Sequence, residues 1–123
     1  IAANDVLATG AIEVLSRWRL AGTVPVVSQD AELSACQRIV EETQLATAYK
    51  PIYELATLTA KVAVGMAKGE KTLTNDTIYN GYDSIPYLKL DAYVVDKDNL
   101  DAVIIQGGFH REEDIYRNIN GSD

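Results

Sequence analysis

Three polar residues of complementary type follow short apolar runs in this chain. Asn4 comes after Ile1–Ala3, Asp30 after VPVVSQ, and Lys50 after LATAY. An amide, a carboxylate and an ammonium at three strand ends suit a polyhydroxylated neutral ligand. The carboxylate accepts from two adjacent hydroxyls, the amide donates and accepts at once, and the ammonium only donates. Each bond with a charged partner contributes about 1.5–3 kcal/mol. Any α/β protein carries polar residues at its strand ends, so the trio takes its meaning from the elements that position it.

Those elements alternate. Residues 6–20 have helical periodicity through Leu7, Ala11, Val14, Leu15 and Trp18, with Asp5 as N-cap and Gly22 as the stop. A β-branched strand follows at 24–28, with Pro25 near its start. Leu33, Cys36, Ile39 and Val40 share one face of a second helix over 31–42, and 45–50 is another strand. Pro51 fits the first position of a third helix, 51–68, whose apolar stripe is Ile52, Leu55, Leu58, Val62 and Met66. Ile1–Ala3 reads as the end of a strand through which the chain has been cut. Strand, helix, strand, helix, strand, helix implies a parallel sheet with crossover helices, and ligands bind such sheets at the carboxyl ends of the strands. Beyond Gly69 the chain turns polar and loop-like to about residue 85, with room for a short strand pair. Residues 86–95 then read as strand, Asp96 caps a short helix, and 109–116 forms a last helical turn or two.

Composition narrows the function. The chain has 123 residues, a net charge of −7 and one cysteine. The acidic balance argues against nucleic acid, whose phosphates need clustered Lys and Arg. No apolar run reaches the 18 or more residues of a membrane span. Cys36 reads as a buried, inert thiol, and one cysteine cannot supply a disulfide or a zinc spacing. No GxGxxG, P-loop or Gly-x-Ser-x-Gly is present. His110 and Cys36 are the only histidine and cysteine, and the core placement of Cys36 argues against a nucleophile–base pair. Glu112, Glu113 and Asp114 read as a solvated or capping face, and Trp18 and the tyrosines as packing. No catalytic residue, cofactor or metal is expected.

The stretches AANDVLATGAIEVL, VVSQDAEL and ATAYKPIYELA, with the closing GGFHREEDIY, closely resemble the C-terminal half of periplasmic sugar-binding proteins of the ribose/galactose type. These are the substrate-binding proteins of bacterial ABC transporters. The spacing agrees as well, with 26 positions from Asn4 to Asp30 and 20 from Asp30 to Lys50. Tyr49-Lys50-Pro51 together with Gly108-Phe109-His110 points, within that family, to the xylose-binding branch.

The resemblance implies that Asn4, Asp30 and Lys50 bind the hydroxyls of a monosaccharide, D-xylose first. It also implies a part of the two-lobed, type I periplasmic-binding-protein fold, α/β with parallel sheets flanked by helices. Residues 1–49 would end the C-terminal lobe, 50–87 would hold the crossover with a helix and loop of the N-terminal lobe, and 88–123 would return to the C-terminal lobe. The rest of the N-terminal lobe would lie upstream. The implied partners are that lobe and either an ABC permease or a membrane sensor histidine kinase. The implied location is periplasmic or extracytoplasmic, with a lipoprotein anchor in a Gram-positive host. The effector core of a lactose-repressor-like regulator is a rival that shares the fold.

Overall fold

The computed structural model describes residues 1–71, 74 and 76–120. The chain divides into two compact units, Ile1–Lys50 with Ala92–Asp123, and Pro51–Asp91.

The first unit opens with helix α1, Asp5–Arg17. Its N-cap is Asn4 and not Asp5: the Asn4 Oδ1 accepts from the Leu7 amide at 2.9 Å. Asp5 is instead the first helical residue, and its side chain is buried. The buried stripe is Asp5, Ala8 and Ile12, with Leu15 partly buried beside it, while Leu7, Val14 and Trp18 are exposed. The true stripe keeps the helical period but begins on a charged residue, so a search for apolar positions finds the wrong face. After α1 the chain turns at Gly22, where φ is +79° and a Cβ would lie 2.8 Å from the Glu42 carbonyl oxygen.

Strand β1, Val27–Gln29, precedes helix α2, Leu33–Val40, and strand β2, Ala46–Tyr49. β1 and β2 pair in parallel, with Ser28 opposite Thr47. Ile1–Ala3 takes no strand pairing beyond one bond, from the Ala2 amide to the Val27 oxygen at 2.9 Å. The third strand of this sheet, Tyr93–Val95, runs antiparallel to β2, with Thr47 opposite Val95. The sheet is therefore mixed and not wholly parallel. Only β1 and β2 are joined by a crossover helix, and only that connection demands parallel strands. Its core is built from Cys36, Ile39, Val95, Leu100, Ile104 and Ile115.

Asp96 does cap the segment that follows, accepting from the amides of Asp98 and Asn99 at 3.0 and 3.3 Å. The helix there is a π-helical turn, Asp101–Ile105, closed by a bond from the Gln106 amide to the Asp101 oxygen at 2.9 Å. Gly107 is required just after it, because a Cβ would fall 2.3 Å from the Val103 oxygen. Two short helices, Glu112–Ile115 and Arg117–Asn120, complete the described part of this unit.

The second unit contains the helix Ile52–Ala67, capped by Pro51, and a hairpin of strands Thr77–Tyr79 and Ser84–Pro86. Residues 80–83 form the hairpin turn, with Gly81 at φ +95° and the Asn80 amide donating to the Asp83 oxygen at 3.0 Å. The Asn80 Oδ1 accepts there from the amides of Tyr82 and Asp83. Residues 87–92 take no strand structure, so the strand expected over 86–95 is confined to its two ends. The helix buries none of its residues. Its apolar stripe lines an open groove in this unit, formed by Leu55, Leu58, Val62 and Met66 with Pro86 and Leu88.

Candidate functional site

Asp30 stands immediately after β1 and Lys50 immediately after β2. The Lys50 Nζ lies 2.8 Å from the Asp30 Oδ1, and the side chains are 48% and 35% exposed. A pair this open to water contributes about 0–1 kcal/mol to stability. Yet the turn that presents it is costly. Asp30 and Ala31 adopt φ values of +107° and +52°, which a residue with a Cβ disfavours.

Every peptide group of that turn is held. The Asp30 amide donates to the Ala48 oxygen at 2.9 Å, and the Ala31 amide to the Thr47 Oγ1 at 3.2 Å. The Glu32 amide donates to the Asp5 Oδ2 at 2.8 Å. The Ala31 oxygen accepts from the His110 Nε2 at 2.8 Å and from the Cys36 thiol at 3.7 Å. A carbonyl only accepts, so His110 carries a proton on Nε2. His110 and Cys36 thus meet at one acceptor as two donors, an arrangement without a base for the thiol. Burial, with the Asp5 carboxylate adding to it, pushes the Cys36 thiol up to about 12. Phe109 packs between His110 and Tyr49, with ring centroids 4.5 and 4.7 Å away and the rings tilted by 51° and 49°.

Asn4 heads α1 half-buried, with its Oδ1 engaged in the helix cap. Its amide nitrogen has no partner among the described residues, so the side chain offers a ligand a free donor, while the oxygen keeps one lone pair beyond the cap bond. The residue after it is the centre of a buried polar network. The Asp5 Oδ1 accepts from the Ser28 hydroxyl, from the Thr47 Oγ1 at 3.0 Å and from the Gln44 Nε2 at 3.5 Å. Gln44 also donates to the Ser28 Oγ at 2.8 Å and accepts from the Arg38 Nε at 3.0 Å. Burial lowers the Arg38 pKa from its ordinary value, and the Asp5 carboxylate opposes that shift. Sequence pattern alone makes Asp5 a cap and gives no sign of Ser28, Gln44 and Thr47. The available signal was an acid that continues the Ala8–Ile12 stripe one turn toward the N-terminus.

The structure therefore pairs Asp30 with Lys50 and ties both strand ends to the residue beside Asn4. Such an arrangement can take a hydroxyl that donates to the carboxylate while accepting from the ammonium, each bond polarising the other. Among the described residues, no group of His, Cys, Asp and Glu could hold a metal ion, and no helix is long and apolar enough to cross a membrane.

A sequence profile of the periplasmic binding protein domain matches residues 1–71. The chain is 44% identical over 116 residues to a D-xylose-binding periplasmic protein of Haemophilus influenzae. It is 38% identical over 115 residues to a D-xylose-binding periplasmic protein of Escherichia coli. Each alignment covers 94% of this chain and 35% of the relative, so the chain spans about a third of the length of these relatives. An ABC transporter solute binding protein of Clostridium phytofermentans, solved with bound β-D-glucose, superposes with a TM-score of 0.75. That match covers 91% of this chain and 35% of the other at 22% identity, which makes it a likeness of fold.

Proposed function

Since this chain belongs to the periplasmic binding protein family, we propose that it supplies part of a monosaccharide site, with D-xylose as the ligand, in a two-lobed binding protein that serves a membrane ABC transporter. Asp30 and Lys50 hydrogen-bond sugar hydroxyls as a charged acceptor and donor, and Asn4 donates from its free amide nitrogen. Residues 1–49 and 88–123 belong to one lobe, and 50–87 contain a crossover and part of the other. Sugar held between the lobes favours closure because it contacts both, and the permease reads the closed form. The site works in the periplasm, or outside the membrane on a lipoprotein anchor.

The observation that carries this reading is the Asp30–Lys50 pair, half open to water on a turn of two left-handed residues. The pair adds little to stability, and strain of this kind concentrates where a side chain must be presented. Titration calorimetry of the complete two-lobed protein tests it against a panel of pentoses and hexoses. Xylose is expected to bind, and Asp30→Ala to weaken it by about 2 kcal/mol or more. Unchanged xylose affinity would remove Asp30 from the site. Binding of a hexose in preference to xylose would correct the ligand.

A further inference from the structure

We infer that Asp5 is the positioning residue of this site: its buried carboxylate locks the two strand ends that carry Asp30 and Lys50, and the helix cap that carries Asn4, into one arrangement. The inference rests on the sugar-site reading but concerns a side chain fully shielded from solvent. Asp5 draws donors from three separate segments, the Ser28 hydroxyl in β1, the Glu32 amide after the strained turn, and the Thr47 hydroxyl in β2. It is bonded directly to Asn4. Ser28 precedes Asp30 by two residues, and Thr47 precedes Lys50 by three.

A merely stabilising role does not account for the arrangement. Burying a carboxylate is costly, and a well-packed apolar group often serves stability as well or better. What an apolar group cannot do is accept from the amides that define the turn. Asp5 holds the Glu32 amide directly and the Ala31 amide through the Thr47 Oγ1. These bonds fix the peptides on the C-terminal side of Asp30, at the two residues whose φ values are left-handed. Without them the turn relaxes toward ordinary backbone, and the Asp30 carboxylate leaves its place beside Lys50.

Asp5→Asn is the informative substitution. An amide that turns its oxygen to the Glu32 N–H leaves the Ser28 hydroxyl proton without its acceptor and the Thr47 hydroxyl with only the longer contact, 3.3 Å from the oxygen that remains. Turned the other way, it sets N–H against N–H at Glu32. The test uses the complete two-lobed protein. Amide hydrogen exchange at Ala31 and Glu32 is expected to speed up about tenfold or more, with exchange at Ile39 and Ile104 unchanged. Xylose affinity is expected to fall about tenfold or more, and to fall by clearly less when Asp5→Asn is added to Asp30→Ala. Unaltered exchange at Ala31 and Glu32 would overturn the inference, as would an equal loss of affinity in both backgrounds.

If Asp5→Asn does not fold, Thr47→Val breaks the same link at its second step, and Thr47→Ser is expected to restore both readouts. Failure of the serine to restore them would overturn the inference equally. A wild-type protein that binds no sugar would refute the ligand reading instead, and the exchange measurements alone would then decide the role of Asp5.

Discussion

Thr47→Val replaces a hydroxyl by a methyl of nearly the same shape at a buried position. The Thr47 hydroxyl donates to the Asp5 carboxylate and accepts from the Ala31 amide. Losing a hydrogen bond to a charged group costs about 1.5–3 kcal/mol, and stranding a buried amide costs about 1–3 kcal/mol. The new methyl returns less than about 1 kcal/mol of apolar burial. The expected loss is therefore about 1.5–6 kcal/mol, and in a chain of 123 residues each kcal/mol lowers the melting temperature by about 4 °C. Urea denaturation followed by circular dichroism measures it, with Thr47→Ser as the comparison. Serine keeps both hydrogen bonds and gives up one methyl, at about 1 kcal/mol. A valine variant within about 0.5 kcal/mol of wild type would refute the reasoning, and so would a serine variant as damaged as the valine.

The Cys36 thiol is raised from 9.0 to about 12 in the fold. Between these values the unfolded chain loses the thiol proton while the folded chain keeps it, so its contribution to stability is complete below about pH 9 and declines toward pH 12. Denaturation midpoints of wild type and Cys36→Ala should converge over that range, and a thiol reagent should label Cys36 only after unfolding. Gly107→Ala sets a methyl against the Val103 oxygen and should destabilise the protein by about 1–3 kcal/mol in thermal melts. Lys50→Met should change stability by no more than about 1 kcal/mol, since the ion pair is half exposed, while weakening xylose binding in calorimetry. The opposite pattern would make the pair a structural one.

Much of the architecture was legible because alternation of short apolar runs with helical periodicity is a local property. The β1–α2–β2 order follows from it, as do the helices at both ends of that unit. The antiparallel third strand was not legible, because nothing in Tyr93–Val95 records which neighbour it meets or in which direction. The face of α1 was misread for a related reason. Leu7 and Trp18 look like core residues until the sheet is present to select Ala8 and Ile12. The tail at Phe109 and His110 could be recognised by type, but its action on the Ala31 carbonyl spans 79 positions of sequence.

By itself the sequence determined the alternating elements and the chemical types at their ends, because backbone periodicity and side-chain chemistry belong to each residue and its near neighbours. Only the tertiary structure decided that Asp30 and Lys50 meet, that the Asn4 oxygen caps a helix, and that Asp5 lies at the centre. A buried carboxylate is tolerated where its donors converge, and those of Asp5 lie 23, 27 and 42 residues away along the chain.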